Sequence, residues 1–231
     1  MDARASPLSV PEFFREMARR IVMLWWLKMT GTVIGIAGFF ALYFRVLRHP
    51  LFPVTVMPLT AVDTWITFRP EALGLYVSLW FYVGLLPALL RFFNELVAYV
   101  WQVLVLTAVG LGIFIFWPTA VPVREMDGAR HAGFEWLRQI DATGNACPSL
   151  HVAFAVFSVI GLGKVLREMG VSGVVRGANW AWCAGICYST VAIGQHVVWD
   201  VVAGAALGAA VGLFLPRIAR IKKDGAKTGM V

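Results

Sequence analysis

Long apolar stretches, separated by short polar segments, occupy most of the chain between residues 24 and 216. A helix needs about 20 mostly apolar residues to cross the hydrocarbon core of a bilayer. Six stretches reach this length: residues 24–45, 73–92, 96–117, 149–168, 175–195 and 197–216. The pattern predicts an all-α integral membrane protein, a six-transmembrane-helix bundle that forms one domain over residues 1–231.

The composition supports this prediction, and the charge distribution orients the bundle. Hydrophobic residues make up 59% of the chain and charged residues 14%, which is outside the usual range of soluble domains. Lysines and arginines concentrate before the first stretch, in alternate loops and in a tail over residues 217–231. Because basic loops stay on the cytoplasmic side, we expect both termini in the cytoplasm. The basic residues form no soluble face with interleaved aromatics, which argues for membrane lipids and against nucleic acid as partners.

The segment before the first stretch has its own pattern. Residues 1–20 are predicted to form a cytoplasmic or interfacial arm. Over residues 11–28, aromatic side chains alternate with arginines and a lysine, a pattern typical of a helix that lies in the membrane interface. We expect this helix to lead into the first span.

The three cysteines, Cys147, Cys183 and Cys187, are odd in number and do not form a disulfide framework. Cys183 and Cys187 lie one helical turn apart in an apolar stretch and lack histidines at metal-ligand spacing. We interpret them as packing residues and expect no metal site and no cofactor.

Two polar clusters interrupt the apolar sequence. The first is Pro148-Ser149-Leu150-His151, and the second contains Ser189-Thr190, Gln195-His196 and Asp200. With both termini inside, the loops at 46–72 and 118–148 and the join at 195–197 all face outward. The topology therefore brings His151 and His196 to one membrane face. Ionisable residues at membrane depth are unfavourable unless they have a role, so this is the candidate site.

The residue types suggest acid, base and nucleophile chemistry. His196 and Asp200 are four residues apart, which on a helix places them on one face, where the carboxylate can orient the ring. Pro148 is predicted in the first turn of the fourth span, whose N–H groups together with Ser149 can hold an anion close to His151. Two alternatives remain: Ser149 only caps its helix while His151 faces interfacial water, and His196 with Asp200 is only a structural ion pair.

Taken together, these clusters resemble the type 2 phosphatidic acid phosphatase superfamily. Its signature is a Lys-x6-Arg-Pro motif, a Pro-Ser-Gly-His motif and a Ser-Arg-x5-His-x3-Asp motif. The second and third motifs appear here with their spacing intact, as Pro148 to His151 and as Ser189 to Asp200. The first is partial, because Arg69-Pro70 is present but Val62 occupies the lysine position. Thr190 replaces the arginine of the third motif.

These departures resemble the branch that contains inositol phosphorylceramide synthase-like proteins, in which Pro-Ser-Leu-His and Ser-Thr with Gln-His are usual. Other positions that look like this branch are Asp63, Ile66, Phe68, Pro70, Tyr76, Trp117-Pro118-Thr119, Arg124, Asp141 and Asn145. The resemblance extends over roughly residues 55 to 210. It leaves the arm and the tail unexplained.

The resemblance implies a metal-independent transfer of phosphate in two steps, with His196 as nucleophile and a phosphohistidine intermediate. Asp200 is implied to orient the ring of His196, and His151 to protonate the leaving alcohol and then deprotonate the acceptor. The residues implied to hold the phosphate oxygens are Ser149, Ser189, Arg69 and Arg124. Arg130 and Arg138 are the other arginines available to replace the missing basic residues, and we rank Arg124 first.

The leading functional hypothesis is a membrane lipid phosphate phosphatase that hydrolyses a phosphomonoester or pyrophosphate of a lipid at the outer membrane face. One alternative is a lipid phosphotransferase that passes the group to an alcohol. Another is a non-enzymatic transporter or scaffold. The expected location is the cytoplasmic membrane of a bacterium, with the site facing the periplasm or the outside. The sequence does not determine the lipid, the acceptor or the oligomeric state.

Overall fold

A computed structural model describes residues 8–122 and 144–214 of the chain. Its helices are α1 (Val10–Val22), α2 (Trp25–Arg48), α3 (Ala61–Trp65), α4 (Leu73–Leu89), α5 (Phe93–Phe116), α6 (Leu150–Glu168), α7 (Gly173–Ala192) and α8 (Val198–Phe214). A short 3-10 turn over Pro70–Ala72 leads into α4. The tail at 217–231 and the predicted residues Arg124, Arg130, Arg138 and Asp141 lie outside the described residues.

Every one of the six predicted apolar stretches contains a helix. By length and composition, four described helical segments can cross a membrane: Trp25–Arg48, Pro70–Leu89, Phe93–Phe116 and Leu150–Glu168. The helix Val198–Phe214 is apolar but shorter. Many large apolar side chains on these helices are exposed, as lipid-facing residues are. The described residues thus form a mostly helical structure with four candidate membrane spans, as expected of a membrane protein, and six spans with cytoplasmic termini remain a prediction.

The N-terminal arm forms a separate amphipathic helix, α1, instead of running straight into the first span. Ser9 and Glu12 cap its start, because the Glu12 carboxylate accepts hydrogen bonds from the Ser9 hydroxyl at 2.6 Å and from the Ser9 N–H at 2.9 Å. These bonds lower the pKa of Glu12. The chain breaks at Leu24, whose φ of 55° lies in the left-handed region, and α2 then begins.

Two basic side chains hold this arm against the C-terminal end of α4. The Lys28 ammonium donates hydrogen bonds to the carbonyl oxygens of Arg20 at 2.7 Å and Ala88 at 2.8 Å. Arg20 is buried and pairs with Glu16 at 2.8 Å, which lowers the pKa of Glu16. Positive charge at a helix C-terminus is favourable, so Lys28 stabilises the last turn of α4.

Helix α6 lies at the centre of the bundle and packs against α4, α7 and α8. The backbones of α6 and α8 approach closely, since a Cβ at Gly204 or Gly208 would overlap the carbonyl oxygen of Ser149 or Ala153. Such small residues allow close contact between membrane helices.

The two long loops predicted to face outward meet in a small parallel sheet. Strand β1 (Thr55–Val56) pairs with β2 (Thr119–Ala120), with Thr55 opposite Thr119. The all-α prediction omits these strands, because two residues are too few to give a sequence signal. The sheet fixes the two loops to each other at the end of the bundle where His151 and His196 lie.

Candidate active site

His196 lies in the turn before α8 and contacts Asp200 in the first turn of that helix. Its Nδ1 is 3.3 Å from Oδ2 of Asp200. The histidine is 8% exposed and the aspartate is fully buried. A carboxylate that accepts a hydrogen bond from Nδ1 leaves the lone pair of the ring on Nε2. The pair therefore presents one ring nitrogen for chemistry in a fixed direction.

The contact was predicted from a different geometry. His196 precedes α8, which begins at Val198, so the two residues do not share a helical face. They meet because Asp200 folds back over the start of its helix, where Oδ2 also accepts a hydrogen bond from the Val197 N–H at 3.0 Å. The preceding turn needs Gly194, whose φ of 73° suits glycine, and the Thr190 carbonyl then accepts the His196 N–H at 3.0 Å.

Asp63 in the first loop also contacts this turn, although it precedes Val198 by 135 residues in the sequence. Its Oδ1 accepts a hydrogen bond from the Val198 N–H at 2.9 Å, while Oδ2 accepts from the N–H and the hydroxyl of Thr60 at 2.7 Å each. Asp63 is 1% exposed. A buried carboxylate thus satisfies an N–H at the start of α8 that the helix itself leaves open. Asp63 is therefore a positioning residue, which the sequence indicated only through the family resemblance.

His151 faces the same space as His196. The centroids of the two imidazole rings are 6.2 Å apart. The His151 ring stacks on Tyr76 of α4, with 4.4 Å between centroids and 19° between planes, and it meets Trp80 edge-on. The aromatic contacts hold the ring of His151 beside the ring of His196. The structure therefore brings together the two histidines, as the topology predicted.

The start of α6 differs in detail from the prediction. Pro148 does not occupy the first turn of the helix: it follows a cis peptide bond from Cys147 and precedes the N-cap residue, Ser149. The Ser149 hydroxyl accepts a hydrogen bond from the Val152 N–H at 3.3 Å, and its own N–H donates to the Asp200 carbonyl at 3.0 Å. Ser149 is fully buried. In this state it caps the helix and joins the two clusters, as the structural alternative predicted.

Ser189 and Thr190 are buried and turned back onto their own helix. The Ser189 hydroxyl donates to the Ile186 carbonyl at 2.6 Å, and the Thr190 hydroxyl donates to the Cys187 carbonyl at 2.8 Å. Both residues are 0% exposed. Thr190, which replaces the family's arginine, is therefore an internal residue of α7. The position at which the resembling family has an arginine thus supplies no positive charge here.

Of the two predicted phosphate-binding arginines, the structure describes Arg69 but not Arg124. Arg69 is exposed, and its backbone N–H donates to the Ala192 carbonyl at 2.9 Å, four residues before His196. The first loop thus lies beside the site, but the hydrogen bond comes from the backbone of Arg69. Arg124 lies outside the described residues. Its role and that of the Arg69 guanidinium remain predictions.

Thr119 holds the segment that leads to Ser149 and His151. Its hydroxyl oxygen accepts a hydrogen bond from the Cys147 N–H at 2.7 Å, and its carbonyl accepts the Ala146 N–H at 3.2 Å. Cys147 is not activated as a nucleophile, because burial and the negative charge of Asp200 raise the pKa of its thiol to about 11. Both residues are therefore structural supports of the site.

Replacing Thr119 by valine keeps the shape of the side chain and removes the acceptor oxygen. The Cys147 N–H then stays buried without a partner, so we expect the free energy of unfolding to fall by about 1–3 kcal/mol. Thermal denaturation of the purified protein in detergent measures the loss. Thr64→Val is the matched control, since the exposed Thr64 hydroxyl donates to the Ala61 carbonyl and its removal leaves no buried N–H without a described partner. Equal losses for the two variants would contradict the assigned role.

In the described part of the chain, no three His, Cys, Asp or Glu side chains are grouped to hold a metal ion. The predicted metal independence is a statement about the reaction and is tested only by activity.

Comparison with known proteins identifies the family. The model of the PAP2 superfamily matches residues 59–214, which is more than half of the chain and contains every described site residue. No curated protein and no solved structure matches the chain. PAP2 membership indicates a phosphatase or phosphotransferase type of enzyme that acts on lipid phosphates. With His151, His196 and Asp200 gathered at one end of a helical membrane bundle, the chain belongs to the PAP2 superfamily.

Proposed function

We propose that this protein is a lipid phosphate phosphatase that works through a phosphohistidine at His196, on the outer membrane face. The observation that carries the proposal is the pairing of His196 Nδ1 with Asp200 at 3.3 Å, with the His151 ring 6.2 Å from the His196 ring. This arrangement supplies an oriented nucleophile and a separate acid on the other side of a phosphoryl group.

The reaction has two steps that balance. In the first, Nε2 of His196 attacks phosphorus, the bond from phosphorus to the lipid oxygen breaks, and His151 gives its proton to that oxygen. In the second, neutral His151 takes a proton from water, the water oxygen attacks phosphorus, and the bond to His196 breaks. Inorganic phosphate leaves, and both histidines return to their starting protonation states.

Charge on the phosphate oxygens needs donors that are in place before the reaction. We assign this role to Arg69 and Arg124, with Ser149 and Ser189 as further hydroxyl donors. Ser189 has to exchange its hydrogen bond to the Ile186 carbonyl to take this part, and both serines are fully buried, whereas Arg69 is exposed. The arginines also carry the positive charge that pairs with phosphate oxygens, so they are the stronger assignments, and no metal ion has a part in these steps.

The second candidate is a phosphotransferase of the inositol phosphorylceramide synthase-like branch, in which an alcohol replaces water. One observation favours it: Asp63, which belongs to that branch's first-loop pattern, accepts a hydrogen bond from the Val198 N–H at the start of α8, close to His196. A residue typical of the branch thus supports the turn that carries the nucleophile. The two candidates share the first step and differ only in the acceptor.

A product assay with purified protein and a lipid phosphate separates the candidates. Release of inorganic phosphate in plain buffer supports the phosphatase, and turnover only after addition of an alcohol supports the transferase. Activity should persist with a chelator, and a strict requirement for a divalent ion would contradict the mechanism. If no phosphate leaves the lipid with either acceptor, the protein is a transporter or scaffold and the proposal fails.

The role of His151 gives a separate prediction. With an aryl phosphate, whose leaving group needs little protonation, His151→Gln should still form the phosphoenzyme. Its breakdown should slow by about 10²–10⁴-fold, because the base for water is missing. Labelled phosphate should therefore accumulate on the variant in a rapid-quench experiment. A variant that forms no phosphoenzyme with this substrate would show that His151 has another role.

A further inference from the structure

A long cavity of about 870 Å³ lies between α2, α4, α5 and the start of α6. His151 and His196 are part of its wall at one end, and Lys28 is part of its wall at the other. On α4 it extends from Tyr76, against which His151 stacks, to Pro87, next to the residue that binds Lys28. At 1.5 Å per helical residue, this is a length of roughly 16 Å.

Glycines on α2 face this cavity instead of a neighbouring helix. Gly31, Gly35 and Gly38 are spaced so that they lie on one helical face, and all three line the cavity. A Cβ added at any of them would meet no described atom within 4 Å. Gly84 on α4 lines the cavity and is equally open. A glycine face normally lets two helices touch, but this one keeps a space open.

The residues that line the cavity indicate what kind of molecule it binds. Its wall is mostly aliphatic and aromatic, and an apolar space does not bind water well. Its volume is that of a small-molecule site. Because one end opens onto the two histidines, the molecule that fills it carries its reacting group at that end and hydrocarbon along the rest. A phosphorylated hydrocarbon chain has this form.

We propose that the cavity holds the hydrocarbon chain of the substrate and limits the chain length that the enzyme accepts. The proposal rests on the proposed function, since it takes the histidines as the position of the phosphate. The substrate is then a phosphate ester of one extended chain that lies between α2, α4 and α5. The phosphate is bound between His151 and His196, and the chain extends toward Lys28.

Lys28 closes the inner end of the cavity and thereby limits the length of the hydrocarbon chain. Its ammonium is buried and is held by the carbonyl oxygens of Arg20 and Ala88 at 2.7 and 2.8 Å. A chain long enough to reach it would have to displace these bonds or bury the charge against hydrocarbon, and both are unfavourable. The three glycines of α2 lie at increasing distances from Lys28 along the cavity. By the helical rise, Gly31, Gly35 and Gly38 lie roughly 4, 10 and 15 Å from Lys28 along the axis.

The test is an activity series with alkyl monophosphates, from short water-soluble chains to long ones, on the purified full-length protein. Gly35→Leu should lower kcat/KM for long chains by more than about tenfold and leave the shortest chains unchanged. Each buried methylene is worth roughly a fourfold change, and the new side chain displaces several. Gly31→Leu should affect only the longest chains, and Gly38→Leu should move the limit to shorter chains.

Gly112→Leu is the matched control, because Gly112 has open space around its Cβ position but does not line the cavity. It should not change the length profile. If Gly35→Leu has no effect, or affects all chain lengths equally, the cavity does not hold the chain and the proposal is overturned. That result differs from failure of the proposed function, in which the wild type releases no phosphate from any chain.

A second measurement does not depend on turnover. An alkyl phosphate with a photoreactive group at its far end should crosslink to the wild type and to His196→Ala near Leu27 or Pro87, which line the deep part of the cavity. Gly35→Leu should remove this labelling, and Gly112→Leu should not. Labelling restricted to the outer surface of the helices would overturn the proposal, whether or not phosphate is released.

Discussion

Replacing His196 by alanine should abolish formation of the phosphoenzyme and lower phosphate release by at least about 10³-fold, with little change in folding. The expected loss is large because the nucleophile itself is removed, together with its contact to the Asp200 carboxylate. The fold should persist, since the ring of His196 has one side-chain hydrogen bond, to Asp200. Trapping of labelled phosphate after a rapid acid-free quench measures the first step directly.

The control for this result is His49→Ala. His49 is an exposed histidine that follows α2 and is not part of the cavity or of the pair with Asp200. It should retain wild-type labelling and phosphate release. If His196→Ala is folded and still traps phosphate on the protein, another residue is the nucleophile. Asp200→Asn should lie between the wild type and His196→Ala, because it removes the orientation of the ring but not the ring.

The proximity of His151 and His196 could be predicted, because it depends only on the directions in which successive helices run. Two consecutive apolar helices that run in opposite directions, α6 and α7, return the chain to the end of the bundle where it started, and both histidines are at that end. The apolar lengths alone give this result. The spacing of Gly204 and Gly208 in the sequence also indicated a tight helix contact, although not that α6 is the helix they touch.

The supports of the site could not be predicted in the same way. The bond from Asp63 to the start of α8 and the bond from Thr119 to Cys147 join residues far apart in the sequence, and each depends on where a loop lies. Spacing rules describe neighbours on one helix, so they gave the wrong geometry for Asp200 and the wrong position for Pro148. The cavity could not be predicted either, because it is an empty space between helices and no residue type in the sequence indicates such a space.

Gly208→Val is the second large effect that we expect, and it acts on folding. A Cβ at Gly208 would overlap the carbonyl oxygen of Ala153, and the carbonyl carbon and Cα of Ala153 lie directly behind it. A flexible side chain can rotate away from such a contact, but the backbone of a central helix cannot. The free energy of unfolding should therefore fall by about 3 kcal/mol or more, at or above the upper end of typical overpacking. The measurement is the fraction of folded protein recovered in detergent and its unfolding temperature.

Gly112→Val provides the comparison, because the same substitution there meets no described atom within 4 Å. It should change stability much less, so a similar loss in both variants would mean that valine is harmful by helix propensity alone. Ala153→Gly should not rescue Gly208→Val, since the overlap is with backbone atoms that glycine retains. Rescue by this second change would place the clash on the Ala153 methyl group and contradict the backbone contact. Since Ser149 and Asp200 are carried on these same two helices, any surviving Gly208→Val protein should also be a poor enzyme.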